Sequence, residues 1–326
     1  MSPGVRPVGA LDQVSIRPVG ADELTACAAI WRNSINDYIT RLGQPEIPPE
    51  TQSVVRLYGH LQATDPERFL AAVIPDGEGN GERIVGFAAA YVREHLWYLS
   101  MLFVLPEFQG AGLGRRLLAR VGPGDPSMAQ AVAVDSAQPI SNALYASVGL
   151  VPRMPLLNFT GLPRRPDAFG ALPTGIVPLG FDQIAAGPPD GQGHQMLVEA
   201  IDGLDRELLG VAHSMDHQFL RSEDRHGWLY RGPDGTPVGY GYAGEAGRIG
   251  PIAVLDPALV APVIGHLTKA VMPRGAFAMW IGGDADRAVV AALQAGFRLD
   301  TFPVLLAWDR SFADFECYMP ASPGLL

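Results

Sequence analysis

A glycine-rich turn that joins an apolar segment to a helix constrains this chain more than any other feature. The apolar run Leu102–Pro106 is followed by Gln109-Gly110-Ala111-Gly112-Leu113-Gly114, and residues 115–119 are typical of a helix. A strand, a turn with few side chains and a helix in that order direct free N–H groups and the positive end of the helix dipole to one place. A Cβ on any of the three glycines would hold an anion away from the backbone or exclude the required dihedral angles. The turn therefore predicts a site for a diphosphate.

Two common phosphate-binding loops do not fit the spacing of this turn. A Walker loop requires Lys and then Ser or Thr directly after its last glycine, and neither follows Gly114. A dinucleotide-binding loop requires Gly-x-Gly-x-x-Gly, whereas these glycines stand at positions 110, 112 and 114. The alternation of strands and helices that precedes a dinucleotide loop is also missing from the sequence pattern.

The pattern that remains is Val-x-Pro-x-x-Gln-x-x-Gly-x-Gly, formed by Val104, Pro106, Gln109, Gly112 and Gly114. It resembles the acetyl-CoA signature of the GNAT N-acetyltransferase superfamily. The resemblance implies that the loop amides hold the pyrophosphate of CoA and that the backbone before the loop pairs with pantetheine like a further strand. The alternative is a glycine-rich start of a helix that binds nothing. The residues that the resemblance assigns to acetyl-CoA binding are Leu102, Phe103, Val104, Gln109, Gly110, Ala111, Gly112, Leu113, Gly114, Arg115 and Gln138.

A second segment, Asp135–Pro152, is similar to the family helix that carries a tyrosine and ends in a Gly-Leu turn. Tyr145 stands four residues before Gly149, as in the family pattern. The resemblance implies that its phenol lies near the CoA sulfur and protonates the thiolate that leaves. A neutral phenol suits that role because it can donate a proton to a developing thiolate. The alternative is a core aromatic on an amphipathic helix.

The general base of the family has no counterpart at its usual place. A Glu often stands twelve residues before the Tyr, and that position is Ala133 here, while Gln138 replaces the family Asn seven residues before the Tyr. Glu94, His95 and Asp135 are substitutes that each could equally be solvated turn residues. The mechanism of deprotonation stays open, and water is a further candidate.

The chain repeats its own plan. Pro237–Tyr240 matches Ile84–Phe87, Ile252–Pro257 loosely matches Met101–Pro106, and a segment ending in Gly296-Phe297 matches one ending in Gly149-Leu150. A repeat of this length predicts tandem domains. We expect an α/β (α+β) fold of two GNAT-like domains, each a mixed, mostly antiparallel sheet flanked by helices. The predicted boundaries are 1–160 for the catalytic domain, 161–175 for a Pro-rich linker and 176–326 for the second domain.

The second copy is predicted to be degenerate. Counted from Pro257, the positions of Gln109, Gly112 and Gly114 become Val260, Val263 and Gly265, and Pro262 lacks an N–H group. The position of Tyr145 becomes Ala292. Such a segment cannot surround a diphosphate with amides. We expect this half to line the acceptor pocket, extend the first sheet or form a homodimer contact.

The first half carries the predicted elements in the following order. Strands are predicted at Val14–Val19, Phe69–Ile74, Arg83–Val92, Trp97–Leu105 and Met154–Thr160, and helices at Ala21–Tyr38 and Glu50–Ala63. The acceptor is expected near the end of the first helix and on the strand before the loop. The candidates there are Asn33, Asn36, Asp37, Tyr38, Trp97 and Tyr98.

One motif of the second half suggests a metal, but its other requirements are missing. His213 and His217 are spaced i, i+4, which suits zinc on one face of a helix. The Glu of a metalloprotease is absent, and no third ligand follows at a standard distance. We therefore predict no metal, with the pair exposed or packed in a helix, and Asp216, Asp224 and His226 as polar surface.

Composition favours a cytoplasmic enzyme. The chain has 326 residues, of which 48% are hydrophobic, enough for two domains with a core each. A net charge of −10 argues against nucleic acid or an anionic membrane as partner. Cys27 and Cys317 are too few for a disulfide framework and fit a reducing compartment. Residues 1–9 lack an apolar leader segment, and no run reaches membrane-spanning length.

The sequence thus predicts an N-acetyltransferase that moves the acetyl group of acetyl-CoA to a primary amine, and a small-molecule acceptor is favoured over a protein. No metal is needed for this reaction. Two other functions stay open. The loop contacts only the CoA portion, so another acyl group could be transferred, and the missing family Glu would also suit a non-catalytic acyl-CoA sensor that contacts a partner protein.

Overall fold

The computed structural model describes residues 13–76, 81–186, 192–300 and 302–326. The N-terminal segment 1–9 lies outside these residues. Spatial contacts separate the chain into two units. The first contains the chain up to Val92 and Trp97–Gln130, and the second contains Arg93–Leu96 and Ala131–Leu326.

The first unit is a sheet with helices packed on it. Its strands β1, β2 and β3 pair antiparallel in that order, and β4 lies beside β3. The predicted strands and helices of this half are present, with ends shifted by no more than three residues. The elements are β1 (Ser15–Pro18), α1 (Leu24–Ile39), α2 (Gln52–Thr64), β2 (Phe69–Pro75), β3 (Glu82–Arg93), β4 (Leu96–Val104) and α3 (Leu113–Val121).

Aromatic packing holds the helices of this unit to the sheet. The Tyr58 ring of α2 is fully buried and meets the Phe69 and Phe87 rings edge-on, with centroids 5.6 and 5.4 Å away. On α1 the apolar stripe includes Cys27 and Ile30, whose three-residue spacing places them on one helix face. The sheet side of both helices is therefore buried.

The second unit contains the rest of the chain, and its long segment begins within β5. Its sheet has the order β5-β13-β6-β11-β10-β9-β8-β7, with β12 beside β6 and β14 beside β10. The elements are β5 (Ala129–Asp135), α4 (Pro139–Ala146), β6 (Val151–Gly161), β7 (Val177–Gly180), α5 (Phe181–Ala185), α6 (Gln192–Leu208), α7 (Ser214–Ser222), β8 (Arg225–Arg231), β9 (Pro237–Gly244), β10 (Arg248–Val254), α8 (Val260–Ala270), β11 (Phe277–Gly282), α9 (Asp286–Ala295), β12 (Arg298–Leu299), β13 (Val304–Trp308) and β14 (Tyr318–Met319).

Most strand pairs are antiparallel, and β10 with β11 is a parallel pair. The predicted fold class, a mixed α/β fold with mostly antiparallel strands flanked by helices, is confirmed. No helix in the described parts of the chain combines the length and the apolar character that a membrane crossing requires.

Strands from the two sequence halves alternate in the second unit. β13 lies between β5 and β6, with Leu306 opposite Ala133 on one side and Met154 on the other. β6 pairs along its other edge with β11, from Phe277 to Gly282. Strands separated by about 150 residues therefore share one hydrogen-bonded ladder.

The Pro-rich segment predicted as a linker is packed against the second half. Residues Pro166–Phe169 form a short 3-10 helix, and the Phe169 ring is buried against Phe297 with centroids 5.9 Å apart. The N–H groups of Arg164 and Arg165 both donate to the Ala295 carbonyl. The segment is thus anchored. The predicted domain boundaries at 160 and 176 differ from the boundary between the two units after Gln130. They stay a prediction of where one sequence repeat ends and the next begins.

Candidate functional site

The glycine loop lies where the sequence predicts it, between β4 and α3. A short 3-10 turn, Pro106–Phe108, follows the strand, and α3 begins at Leu113. Gly110 and Gly112 have φ of +76° and +85°. Residues with a Cβ are strained in that region of backbone space, which explains why glycine stands at these two positions. Gly114 is in the first turn of α3, and its φ is not positive.

The N-terminus of α3 faces solvent without a capping side chain. Gly112 stands at the cap position, where no side chain accepts a hydrogen bond, and residues 109–112 are exposed. The first N–H groups of a helix have no partner within the helix, and the helix dipole makes this end positive. The loop and the helix end can therefore hold an anion by backbone atoms. Leu113 contributes only its N–H group, because its side chain is buried in the core.

Two side chains fasten the end of β4 to its surroundings. The Gln109 amide donates from Nε2 to the Val104 carbonyl at 2.8 Å, and the buried Ser34 hydroxyl of α1 donates to the same oxygen at 3.1 Å. Gln109 thus fixes the shape of the loop in this structure. Sequence reasoning missed Ser34, although a Ser that continues the Cys27, Ile30 stripe of α1 was a readable signal.

Strand β3 approaches β4 closely at Gly86. A Cβ on Gly86 would lie 3.0 Å from the Phe103 carbonyl oxygen and 3.2 Å from Val104 Cγ2. One residue further along, the Leu105 N–H donates to the Val85 carbonyl at 2.9 Å. This contact sets the position of the strand from which the loop departs.

Tyr145 lies near the end of α4, which follows β5 in the second unit. Its side chain is buried, and burial raises its pKa above the ordinary value, so that it stays a neutral proton donor at ordinary pH. Gly149, with φ of +94°, ends the helix, and the Leu150 N–H donates to the Tyr145 carbonyl at 3.0 Å. The predicted helix and Gly-Leu turn are thus present.

The turn between β5 and α4 is held by Asn142, which sequence reasoning also missed. Its Nδ2 donates to the carbonyls of Asp135 and Gln138 at 2.9 and 2.8 Å. Its buried Oδ1 has no hydrogen-bond partner among the described residues. Gln138 itself precedes α4, and its half-buried side chain lies at the N-terminal end of that helix.

The substitutes for the missing base have other partners or lie far along the chain. Glu94 accepts from Arg206 at 2.8 Å, and the Asp135 carboxylate accepts from the Ala137 N–H at 3.0 Å. Glu94 and His95 form the turn before the amino end of β4. At ~3.3 Å per residue, the carboxyl end of this strand, where the loop begins, is about 26 Å away from that turn. The structure assigns none of the three as a base. Ala133 carries no carboxylate and pairs with Leu306.

The predicted acceptor contacts are corrected in part. Trp97 and Tyr98 are buried core residues, not pocket walls, since the Trp97 indole donates to the Val121 carbonyl and the Tyr98 ring stacks on Tyr91. The Asn36 side chain holds the loop after α1 by accepting from the Ile47 N–H at 2.9 Å. The Asp37 carboxylate forms an ion pair with Arg41, and Asn33 and Tyr38 lie on the same helix.

The second half repeats these local structures with one shift of register. A Cβ on Gly239 would lie 2.6 Å from the Ala253 carbonyl oxygen, and the Leu255 N–H donates to the Val238 carbonyl at 2.9 Å. Leu255 therefore corresponds to Leu105, one residue away from the match that the two prolines suggested. The Phe297 N–H donates to the Ala292 carbonyl at 3.0 Å, as Leu150 does to Tyr145, so the match of Ala292 with Tyr145 holds.

Among the described residues, the connection from β10 to α8 contains no loop comparable to the glycine loop. The 3-10 turn Pro257–Leu259 leads directly into α8 at Val260, whereas four residues separate the first copy's turn from α3. Val260 and Val263 are buried within α8, and a Cβ on Gly265 would lie 2.8 Å from Phe169 Cβ. The backbone N–H groups of these residues therefore lie within a buried helix.

The histidine pair is also placed differently from the prediction. His213 precedes α7, His217 lies within it, and both rings are buried. Asp216 is buried as well, so its prediction as polar surface is wrong, while His226 and Asp224 are exposed. The pair packs inside the second unit, beside a third ionisable residue, Asp205.

Residues 33–149, which contain the glycine loop and Tyr145, match the model of the Acetyltransferase (GNAT) family. This segment, about a third of the chain, is therefore similar to GNAT acetyltransferase domains. The matched segment ends at Gly149, at the turn that follows the Tyr145 helix. No curated protein matches the chain significantly in sequence.

Solved structures share the fold over nearly the whole length. A protein from Pyrococcus horikoshii, described as a candidate acetyltransferase, superposes with a TM-score of 0.70 at 13% identity, covering 96% of each chain. A GCN5-related N-acetyltransferase from Sphaerobacter thermophilus has a TM-score of 0.59 at 16% identity, covering 94% of this chain and 99% of its own. A tandem GNAT protein from the clavulanic acid biosynthesis pathway has a TM-score of 0.51 at 16% identity, covering 90% and 97%. These likenesses show that the shared fold extends over both halves of the chain.

Proposed function

We propose that the chain is an acetyl-CoA-dependent N-acetyltransferase that acts on a primary amine of a small molecule. The observation that carries the proposal is the loop between β4 and α3, within the segment that matches the GNAT family. Gly110 and Gly112 hold it in a conformation that exposes backbone, and α3 begins there without a capping side chain. Such a site suits the pyrophosphate of CoA.

The proposed reaction is a direct transfer. The lone pair of the neutral amine attacks the thioester carbonyl carbon, the C–N bond forms, and the C–S bond breaks as the tetrahedral intermediate collapses. A backbone N–H of β4 near Phe103 polarises the carbonyl. Tyr145 gives its proton to the CoA thiolate, and the proton lost by the amine passes to water, since no carboxylate stands at Ala133. No step needs a metal ion.

The second half is proposed to bind no acyl-CoA. Its turn after β10 runs directly into α8, and Ala292 offers no phenol at the place of Tyr145. One site per chain is therefore expected.

Calorimetry with acetyl-CoA tests the cofactor site. We expect one equivalent per chain for the wild type, and loss of binding in Gly112→Val, whose side chain would occupy the space of the diphosphate. Valine at φ of +85° also strains the loop. Gly124→Val is the matched control, because Gly124 has φ of +78° and, like Gly112, open space around a Cβ. Two equal sites, no site, or equal losses in both variants would contradict the proposal.

A non-catalytic acyl-CoA sensor is the second candidate, and the absence of a carboxylate at Ala133 favours it. Release of CoA from acetyl-CoA across a panel of amines separates the two functions. A thiol reagent can follow the release, because Cys27 and Cys317 are buried and burial raises the pKa of both thiols to about 12. Binding without release for any amine would leave the sensor. Longer acyl-CoA substrates in the same assay test for transfer of another acyl group.

A further inference from the structure

A buried cluster of ionisable side chains lies in the second unit and has no part in the proposed acyl transfer. Asp205 comes from α6, His213 precedes α7, and His217 lies one turn into α7. Each is at most 2% exposed. One potential ligand atom from each lies within 4.8 Å of the other two. Buried ionisable groups are costly unless they are paired or coordinate a metal.

The imidazole Nε2 atoms of the cluster converge on one carboxylate oxygen. His217 Nε2 lies 2.8 Å from Asp205 Oδ2, and His213 Nε2 lies 3.3 Å from the same oxygen. Around a tetrahedral zinc with bonds of about 2.0–2.1 Å, neighbouring ligand atoms are roughly 3.3 Å apart. Both distances to the carboxylate oxygen are at or somewhat below this value, and the two imidazole ligand atoms lie within 4.8 Å of each other.

The opposite ring nitrogens already have partners that fix the orientation of the rings. His217 Nδ1 lies 2.9 Å from the Tyr242 hydroxyl, and His213 Nδ1 lies 3.5 Å from Asp216 Oδ2. Arg93 holds Asp216 by two hydrogen bonds of 2.7 Å, from Nε and Nη2. Histidine ligands of metals are commonly oriented in this way, by a carboxylate or another polar group at the second nitrogen. Both Nε2 atoms therefore face Asp205 Oδ2, and a metal ion would replace the hydrogen bond between His217 Nε2 and that oxygen.

One of these nitrogens lacks a hydrogen bond. His213 Nε2 is buried, and its approach to Asp205 lacks the alignment of a hydrogen bond, so that among the described residues it has no hydrogen-bond partner. Buried polar atoms of this kind call for an explanation, and an ion that the structure does not contain is one. The other Asp205 oxygen is taken, since the Tyr240 hydroxyl donates to Oδ1 at 2.5 Å.

Charge balance also favours a cation at this place. The Arg93 guanidinium pairs with Asp216, whereas the Asp205 carboxylate faces the two imidazoles. A proton on His213 is the competing occupant. It would leave the Nε2–H group without an aligned acceptor, whereas a metal ion would be bound by both Nε2 atoms and by Asp205 Oδ2 at once.

We propose that Asp205, His213 and His217 form a site for a divalent transition metal, with zinc as the best fit. Two imidazoles and a carboxylate without thiolate are ligands that zinc accepts, and they leave one coordination position for water. Because all three residues are buried, the ion would tie α6 to the start of α7 from within the core. The sequence prediction of no metal rested on a missing third ligand. That ligand is Asp205, eight residues before His213 on another helix.

Metal content of the full chain tests the proposal. We expect about one zinc per chain by elemental analysis after dialysis against metal-free buffer, and a rise of Tm when zinc is added to chelator-treated protein. With Co²⁺ as a probe we expect the visible absorption of a tetrahedral site without a thiolate charge-transfer band. The wild type decides by itself. If it takes up neither zinc nor cobalt at one equivalent and its Tm does not move, a proton fills the site and the proposal is wrong.

Variants locate the ion. His213→Asn and His217→Asn should each abolish stoichiometric binding, and the zinc-dependent rise of Tm should vanish with it. His194→Asn is the control, because His194 lies exposed on α6, the helix that carries Asp205. Loss of zinc in His194→Asn, or full retention in both cluster variants, would place the metal elsewhere and overturn the assignment. Acetyl-CoA binding is measured in parallel, so failure of the metal site is distinguishable from failure of the proposed transferase activity.

Discussion

Tyr145 is the side chain on which the proposed chemistry depends most, and its surroundings define how it can be tested. Its ring is buried, and replacement by phenylalanine keeps that ring and removes only the hydroxyl. Tyr145→Phe should therefore change the free energy of unfolding by no more than about 1 kcal/mol. If the phenol protonates the thiolate, kcat for CoA release should fall by roughly 100-fold or more at unchanged acetyl-CoA affinity.

The pH profile and a matched tyrosine sharpen that test. Burial raises the pKa of Tyr145, so the phenol should keep its proton, and the wild type its activity, until the pH exceeds the ordinary tyrosine value of about 10. Tyr58→Phe is the control, because Tyr58 is also fully buried and its hydroxyl has no partner within the described structure. Its removal should leave kcat unchanged. Equal turnover in Tyr145→Phe and wild type would make Tyr145 a core residue only.

At the scale of elements, close approach of two strands recurs in both halves and can be measured. A Cβ on Gly239 would lie 2.6 Å from the Ala253 carbonyl oxygen, a backbone atom that cannot rotate away. A Cβ on Gly86 would lie 3.0 Å from the Phe103 carbonyl oxygen. Gly239→Ala should destabilise the chain by about 1–3 kcal/mol, and Gly86→Ala by less. Urea denaturation followed by circular dichroism gives both values.

A glycine within a helix is expected to show the opposite effect of alanine substitution on stability. Gly203 lies within α6, and a Cβ there would meet nothing within 4 Å. Gly203→Ala should stabilise the chain by about 0.5–1 kcal/mol, because alanine loses less backbone entropy in a helix. A Gly239→Ala variant as stable as Gly203→Ala would show that β9 and β10 can separate without cost, against the packing described.

The elements that sequence could predict are those encoded by local pattern. Gly86 and Gly239 were recognisable as one repeated position, and the loop at Gly110 and Gly112 followed from residue type alone. The one-residue shift between the two copies at Leu255 could not be predicted. Asp256 is an additional residue before Pro257, and the two prolines are the most visible match in sequence although they do not correspond in structure. Long-range partners were equally hidden: nothing local to His213 indicates that Asp205 of the preceding helix faces it.

At the scale of the whole molecule, the alternation of strands from the two sequence halves sets the last prediction. In the full chain β6 is paired along both edges, by β13 on one side and β11 on the other, and both partners come from the second half. The strands β6 and β13 are central in this sheet, and Leu156, Phe159 and Leu306 are fully buried.

A fragment of residues 1–160 should therefore be poorly soluble or weakly active, because it carries β6 without either neighbour and exposes an apolar strand edge. Size-exclusion chromatography and CoA release, measured beside the full chain, test this. Leu306→Pro in the full chain is the finer variant, since a central proline removes a ladder hydrogen bond from β13 while the rest of the second half stays present. It should lower Tm strongly. A monomeric, stable and fully active 1–160 fragment would mean that the second half is dispensable, and that the shared ladder contributes little to the folding of the catalytic half.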